Sequence, residues 1–247
     1  SETPAAESDV AYIQDKGTLV VGITEFDPMD YRDADGNWIG FDADMAKQFA
    51  EYLGVDVEFS EINWDYKVME LNAGNIDVVW NGMTILPEVT STMDVSNPYC
   101  LNAQVLVVPV DKAADFEDLT SLEGLTVAVE SGSAGEAAAT ALGASTVAVA
   151  KQADTLLEVS AGTSDAAVID LLMAGAMIGE GTSYEGLTYV LNLNELQKQE
   201  SEEYGVGFRQ GSNLVDEFNT FWAEKVADGT VLEVATTYGL QESVILE

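Results

Sequence analysis

The sequence predicts an α/β protein built from two lobes, each a sheet flanked by helices. Apolar strand-like runs alternate with helix-like segments over residues 18–80, and a second alternation of the same kind covers residues 104–193. Such alternation is typical of parallel sheets that are covered by helices. Two further segments, near residues 99–104 and 198–204, carry the chain from one alternation to the other and back. We therefore expect two lobes that are joined by a two-strand hinge.

The first alternation begins with a buried strand, and glycines mark the ends of its helices. Apolar residues recur at four-residue spacing from Phe41 to Leu53, which is typical of one buried helix face. Asp42 is the expected N-cap of this helix, and Gly54 is its expected end. The predicted elements are a strand at 18–24, a tight turn at 33–37, this helix from residue 40, a strand at 55–59, a helix at 64–73 and a strand at 76–80.

The second alternation contains a glycine-bearing loop, residues 131–135, between a strand and an alanine-rich helix. A loop of this kind at a helix N-terminus is suited to an anion. It lacks the lysine and the spacing of a nucleotide-binding loop, so nucleotide binding is not expected. From residue 104 to the end of the sequence, the predicted elements are an extended run at 104–110, a helix start at 119–124, a strand at 125–130, a helix at 151–161, strands at 165–170, 189–193 and 205–208, and helices at 214–227 and 230–238.

Composition limits the partners and the chemistry. Nine basic residues against 44 acidic ones give a formal net charge of −35, which opposes binding to nucleic acid or to anionic lipid. The sequence has no histidine, and Cys100 is its single cysteine. An internal disulfide, the usual zinc and copper sites and histidine-based catalysis are therefore excluded. We expect Cys100 to be buried filler, and we expect no metal and no cofactor.

Residues 1–9 are small, polar and acidic. We expect them to form a flexible leader and not a signal peptide, because no basic segment followed by an apolar run is present. No run of 18 or more apolar residues occurs, so no membrane-spanning helix is expected.

Residues 76–99, which read IDVVWNGMTILPEVTSTMDVSNPY, carry the most informative pattern. An apolar strand is expected to break at Asn81, and Gly82 then allows a backbone or a ligand to come close. Backbone donors and a hydroxyl at the carboxyl end of a strand are typical of a ligand site. On these residues alone, a buried strand followed by a polar turn is the better interpretation.

The same segment resembles the GxTxTxER…DFSxPY signature of solute-binding proteins that serve polar amino acid ABC importers, the bacterial extracellular solute-binding protein family 3. Here the signature reads GMTILPEV at residues 82–89 and DVSNPY at residues 94–99. Residues 28–46 are similar to a second family pattern, PxxYxxxxGxxxGFDxDxA. The resemblance extends over residues 17–239 and implies the two-lobed periplasmic-binding-protein-like (type II) fold.

The resemblance implies how the chain is divided and what it does. It assigns residues 10–99 and 205–247 to lobe 1, residues 104–198 to lobe 2, and the hinge to the two crossing segments. It implies an extracytoplasmic substrate-binding protein that captures a polar amino acid between the lobes and delivers it to ABC permease subunits. We expect a monomer without enzymatic activity, at the cell surface or in the periplasm, with a lipoprotein anchor outside this sequence.

Carried over by position, the resemblance also implies a set of ligand-binding residues. Aromatic rings cover the ligand side chain, a glycine–threonine loop holds the α-carboxylate, and an aspartate from lobe 2 takes the α-ammonium. The implied residues are Phe26, Trp64, Asn81, Gly82, Thr84, Glu130, Ser131, Ser133, Ala134 and Asp170. Three of them have a plain structural alternative: Trp64 and Phe26 as core residues, and Asp170 as a helix N-cap.

One departure from the family pattern concerns charge. Val89 stands where the family carries the arginine whose planar fork suits a carboxylate. Arg32 and Arg209 are expected at the surface and do not replace it. Both a zwitterionic amino acid and a cationic amine or quaternary ammonium compound therefore remain open, with the amino acid preferred. From the sequence, an amino acid and its amide are expected to bind within about tenfold of each other.

Two other functional classes are compatible with the predicted fold. A dehydratase acting on an aromatic-acid precursor would need an anion-holding arginine beside a proton donor, which this sequence does not supply at the site. A sensor domain would normally be fused to membrane segments. The importer-binding protein is therefore the leading hypothesis.

Overall fold

The computed structural model describes residues 6–247 and confirms the predicted α/β class, with sheets flanked by helices. The chain divides into two compact units. The first unit contains the described residues up to Thr24, Pro28–Leu101 and Glu203–Glu247, and the second contains Glu25–Asp27 and Asn102–Glu202. The short piece Glu25–Asp27 thus groups with the second unit, although the resemblance assigns it to lobe 1.

The N-terminal part of the first unit alternates helices and strands. Its elements are α1 (Asp9–Lys16), β1 (Thr18–Ile23), β2 (Tyr31–Arg32), β3 (Trp38–Ile39), α2 (Phe41–Leu53), β4 (Asp56–Glu61), α3 (Lys67–Ala73), β5 (Val78–Thr84), α4 (Pro87–Thr90), β6 (Asp94–Val95) and β7 (Cys100–Asn102).

The remaining elements form the second unit and the C-terminal part of the first. The second unit contains β8 (Gln104–Pro109), β9 (Thr126–Glu130), α5 (Ala134–Ala141), β10 (Ser145–Val149), α6 (Asp154–Ser160), β11 (Ala166–Asp170), α7 (Leu171–Met177), β12 (Leu187–Asn192) and α8 (Leu193–Leu196). The chain then continues through β13 (Glu202–Phe208), α9 (Leu214–Ala227) and α10 (Thr230–Thr237). Short 3-10 helices lie at Ala6–Ser8, Trp64–Tyr66 and Val110–Asp115.

The main sheet of the first unit has the strand order β4-β1-β5-β13-β6. Strand β1 is parallel to β4 and to β5, and β13 is antiparallel to β5 and to β6. The helices α2 and α9 cover this sheet with aromatic rings, and the rings of Phe49 and Phe218 lie 6.3 and 5.0 Å from that of Trp80. Because β1 and β5 are parallel, Thr24, which follows β1, lies beside Asn81 of β5.

The sheet of the second unit has the strand order β10-β9-β11-β8-β12. The strands β9, β10 and β11 are parallel, whereas β8 is antiparallel to β11 and β12. Its core is aliphatic and includes Leu106, Val127 and Val168. The parallel arrangement brings the ends of β9 and β11, which are Glu130 and Asp170, to one edge of the sheet.

Some local predictions are corrected. Residues 119–124 form turns instead of a helix start, and the fully buried Leu122 fixes them against the core. Residues 1–5 of the predicted leader lie outside the described residues, but its remainder is structured, since α1 begins at Asp9. Cys100 is fully buried as expected. In the described part of the chain, no helix is both long and apolar enough to cross a membrane.

Candidate functional site

Gly82 lies in a bulge of β5 and not in a turn after it. The sequence predicts that the strand breaks just before this glycine, but β5 continues two residues beyond it and is buried throughout. Met83 faces Gly205 of β13, whereas Val79 faces Gly207, so β5 has two extra residues between these pairs. Gly82 has a φ of 54°, in the left-handed region that suits glycine. The prediction of a turn is therefore wrong, because the bulge supplies the left-handed position within the strand.

The backbone amide of Gly82 is held by a buried carboxylate. Its N–H donates to Oδ2 of Asp42 at 2.7 Å, and the Tyr99 hydroxyl donates to the same oxygen at 2.9 Å. Burial raises the pKa of the Asp42 carboxyl to about 7, although both hydrogen bonds oppose the rise. Asp42 is not the N-cap of α2 as predicted, because Gly40 takes that position and the Asp42 side chain turns into the core.

Thr84 presents its backbone on the side of β5 that faces away from β13. The amide of Ile85 donates to the carbonyl of Glu203 at 2.9 Å, and Thr84 is paired with Tyr204. Because backbone groups alternate in direction along an antiparallel ladder, the N–H of Thr84 points away from β13. The residues of β5 that pair with β1 end at Val79, so this outward side of Thr84 lies beyond the paired region.

Asn81 ties the ends of two strands together. Its Oδ1 accepts a hydrogen bond of 2.9 Å from the amide of Thr24, and its Nδ2 donates one of 2.7 Å to the hydroxyl of Thr24. Asn81 is 3% exposed. These bonds give Asn81 a clear positioning role in the first unit.

Trp64 is a member of an apolar cluster in the first unit. It is 6% exposed and packs with Met83 and Val89, among other buried residues. The residue in the family's arginine position therefore lies in the same cluster as the predicted aromatic cover. Burial is consistent with the structural interpretation of Trp64, and its contact with a ligand stays a prediction.

Lys67 lies one helical turn after Trp64 and places its ammonium against the Trp64 ring. The distance from Nζ to the ring centroid is 4.7 Å, and Nζ also donates to the Trp64 carbonyl at 3.2 Å. Lys67 is 9% exposed, and it is the one buried lysine or arginine among the described residues. A buried ammonium on an aromatic face is a cation–π arrangement.

The two arginines differ in environment. Arg32 lies in the β2–β3 hairpin, 44% exposed, with its guanidinium 4.1 Å from the Trp38 ring centroid. Its predicted surface position is confirmed. Arg209 was also expected at the surface, but its side chain is 12% exposed and pairs with Asp9. The prediction for Arg209 is wrong because Asp9 lies about 200 residues away in sequence and nothing local indicates the pair.

Phe26 belongs to the second unit and is 2% exposed. Its neighbour Glu25 forms an ion pair of 3.4 Å with Lys151. This pair attaches residues 25–27 to the segment that precedes α6. Burial raises the pKa of the adjacent Asp27 carboxyl.

Asp170 ends β11, as predicted, and is 5% exposed. Its Oδ1 accepts a hydrogen bond of 2.8 Å from Nε2 of Gln104, and its backbone amide donates at 2.7 Å to Oε1 of Gln152. It occupies the N-cap position of α7, but its side chain makes no capping hydrogen bond. The carboxylate is therefore positioned by Gln104 and is not a helix cap.

Gln104 joins two carboxylates. Its Nε2 also donates to Oε2 of Glu202 at 2.9 Å, an oxygen that accepts a second hydrogen bond, of 3.0 Å, from Asn102. Gln104 is fully buried, and its Oε1 finds no hydrogen-bond partner among the described residues. A Cβ at Gly135 would come within 2.9 Å of that oxygen, so α5 approaches Gln104 closely because this residue is glycine.

Glu130 is the second buried carboxylate at this edge of the sheet. It is 3% exposed, and its Oε2 accepts a hydrogen bond of 3.1 Å from the backbone N–H of Gln152. Gln152 thus contacts Glu130 through its backbone N–H and the Asp170 backbone through its side-chain oxygen. The second unit therefore places two acidic side chains around one glutamine.

The loop that begins at Ser131 closes on itself. Ser133 caps α5, whose first residue is Ala134, and accepts a hydrogen bond of 3.1 Å from the Glu136 amide. The Glu136 carboxylate turns back to accept one of 2.7 Å from the Gly132 amide. A carboxylate of the chain itself therefore occupies part of the predicted anion site. The Ser-x-x-Glu spacing at residues 133–136 is a capping-box signal that could have indicated this closure.

The sequence did not indicate three side chains that contact candidate ligand-binding residues. These are Lys67, Gln104 and Gln152. One feature of the sequence could have indicated Lys67: it lies one helical turn from Trp64 in a chain with only nine basic residues. No feature of the sequence indicates the roles of Gln104 and Gln152, because their hydrogen-bond partners lie far away in the sequence.

The sequence pattern of the bacterial extracellular solute-binding proteins, family 3, matches residues 19–241. The chain belongs to this family. The arginine-binding extracellular protein ArtP of Bacillus subtilis (strain 168) is 27% identical over 221 residues, which cover 87% of this chain and 83% of ArtP. A crystal structure of a mutant ArgBP from T. maritima is 30% identical with a TM-score of 0.84, and the match covers 94% of this chain and 99% of that one.

An enzyme also appears among the similar proteins. The cyclohexadienyl dehydratase of Pseudomonas aeruginosa is 28% identical over 135 residues, which cover 53% of this chain and 50% of the dehydratase. Its match is shorter than those of the two binding proteins.

Proposed function

We propose that this chain is the substrate-binding protein of an ABC importer and that its ligand is a polar α-amino acid with a neutral or basic side chain. The observation that carries the proposal is the carboxylate of Asp170, which is buried, fixed by Gln104 and not used as a helix cap. A carboxylate held in a fixed orientation is a suitable acceptor for an ammonium group. An α-ammonium supplies both a charge and three donors.

Lys67 favours an amino acid over a cationic amine. Its ammonium lies 4.7 Å from the centroid of the Trp64 ring, the ring that an amine or quaternary ammonium ligand would use. A second cation on that ring would be repelled by the first, at a distance where Coulomb forces are strong in a buried environment. A ligand with an anionic carboxylate would instead be attracted.

The acidic side chains of the second unit favour a ligand without an acidic side chain. Glu130 and Asp170 are both buried at the end of neighbouring parallel strands. One carboxylate is assigned to the α-ammonium, and the other would repel a ligand carboxylate or pair with a basic side chain. The arginine named for ArtP, and bound in a structure of truncated ArgBP from T. maritima, is consistent with this assignment.

The chain acts outside the cytoplasm as a monomer that is held to the membrane by a lipoprotein anchor, and it delivers its ligand to ABC permease subunits. The two compact units serve as the two lobes, and two of the chain crossings between them, after Leu101 and after Glu202, serve as the hinge. The chain binds its ligand without converting it, although a dehydratase is among its relatives.

A thermal-shift screen tests the proposal, because a ligand that binds only the folded state raises the melting temperature. The protein is unfolded and refolded first to remove any ligand carried from expression. The panel contains the twenty amino acids, cystine, their decarboxylated amines and quaternary ammonium compounds. A polar amino acid is expected to give the largest shift. A larger shift from amines alone, or no shift from any amino acid, would contradict the proposal.

A further inference from the structure

The first unit has few groups that can neutralise a ligand carboxylate. Val89 stands in the family's arginine position, and its side chain is 8% exposed within the apolar cluster of Trp64. The amide of Gly82 is directed at Asp42. Arg209 pairs with Asp9. A carboxylate bound in this unit would therefore need another cation.

Lys67 has the position and burial that such a cation needs. It is the first residue of α3, and its ammonium rests against the ring of Trp64. Trp64 in turn packs in one cluster with Val89 and with Met83, the neighbour of Thr84. The ammonium thus lies beside the cluster from which the family's arginine would project.

We propose that Lys67 takes over the role of the missing arginine and supplies the positive charge that recognises the α-carboxylate of the ligand. This inference rests on the proposed function and names a specificity-determining residue for it. An ammonium is a point charge with rotatable donors, whereas a guanidinium is a planar fork. Lys67 therefore selects for the charge of the ligand carboxylate. This reverses the expectation from sequence that an amino acid and its amide bind nearly equally.

The test is calorimetric titration of the refolded protein with L-arginine, L-argininamide and agmatine, three probes that differ only at the carboxylate. The unaltered protein is expected to prefer L-arginine over both other probes by about a hundredfold, and Lys67→Met is expected to reduce this preference to about tenfold or less. Lys67→Arg keeps the charge and should keep the preference. Lys47→Met is the matched control, because Lys47 contacts Asp44 and the Trp38 carbonyl instead of Trp64.

A second variant separates charge from packing. In the double variant Lys67→Met/Val89→Arg, an arginine at the family position should restore the preference for L-arginine. If Lys67→Met weakens L-arginine and L-argininamide equally, Lys67 has only a packing role and the inference is wrong. Unchanged ratios in Lys67→Met would also overturn it. If the unaltered protein binds no amino acid in the screen, the proposed function fails first, and the inference fails with it.

Discussion

The side-chain amide of Gln104 donates a hydrogen bond of 2.8 Å to the carboxylate of Asp170. The two residues face each other on the antiparallel strands β8 and β11. Since Gln104 is fully buried, its amide has no water to move toward, and the orientation of the Asp170 carboxylate is fixed in the second unit. A carboxylate that is fixed in advance loses little entropy when a ligand ammonium binds to it.

Gln104→Leu should weaken amino acid binding by about 1–3 kcal/mol, because it removes a donor from a buried charged acceptor. Gln210→Leu is the matched control, since Gln210 donates to the Ser91 carbonyl at an exposed position. Calorimetry with the ligand found in the screen measures both variants. Equal affinities for Gln104→Leu and the control would show that Gln104 does not position Asp170.

Asp170→Asn should cost about 2–5 kcal/mol of binding, because the ligand ammonium would be left buried without its counter-charge. Asp165→Asn is the control at the other end of the same β-strand segment, where Asp165 accepts from the Thr126 amide at an exposed site. Calorimetric titration with the ligand found in the screen measures the affinity of both variants. Retained affinity in Asp170→Asn would exclude the assignment of Asp170 to the ammonium.

Trp64→Ala should lower ligand affinity by about 1–3 kcal/mol through lost ring contact and lost area. It should also lower the free energy of unfolding, because Trp64 is part of the cluster with Val89. Titration and denaturant unfolding are measured on the same sample. A lower stability with unchanged affinity would assign Trp64 to the core alone.

Asp42 should make the stability depend on pH. Burial raises the pKa of its carboxyl from the ordinary value of 3.8 to about 7 in the folded protein. Between these values the folded state holds a proton that the unfolded state has lost, so stability falls as pH rises, by up to about 1.4 kcal/mol per unit. The contribution is fully present below pH 3.8 and is lost above pH 7.

Denaturant unfolding between pH 4 and pH 8 measures this dependence. Asp42→Asn should flatten it, whereas Asp35→Asn, in the exposed hairpin turn, should not. Asp30 contributes in the same direction, because burial and the Asp42 charge raise its pKa too. Parallel profiles for the unaltered protein and Asp42→Asn would contradict the role of Asp42.

The fold could be predicted from the sequence because local patterns determine most of its elements. The strand–helix alternation, the glycines at helix ends and the apolar face from Phe41 to Leu53 predict elements that the structure contains. The end of β5 was missed, because a bulge at Gly82 and an ordinary turn carry the same residue types. Asp42 was misassigned since its partners, Gly82 and Tyr99, are far away in sequence.

The surroundings of the candidate site residues depend more on long-range contacts than the helices and strands do. The end position of Asp170 could be predicted from the strand that it terminates. Its contact with Gln104 could not, since an antiparallel pairing 66 residues apart produces it. The burial of Lys67 against Trp64 depends on tertiary packing, and a lysine at the start of a helix is more often exposed.

The most direct test of the central claim is calorimetric titration of the refolded protein with L-arginine, L-histidine, L-glutamine and L-glutamate. The account predicts saturable binding of one molecule per chain for at least one of the first three. It predicts that L-glutamate binds at least about a hundredfold more weakly than the best of them, because Glu130 and Asp170 repel its side-chain carboxylate. Tightest binding of L-glutamate, or no binding of any of the four, would contradict it.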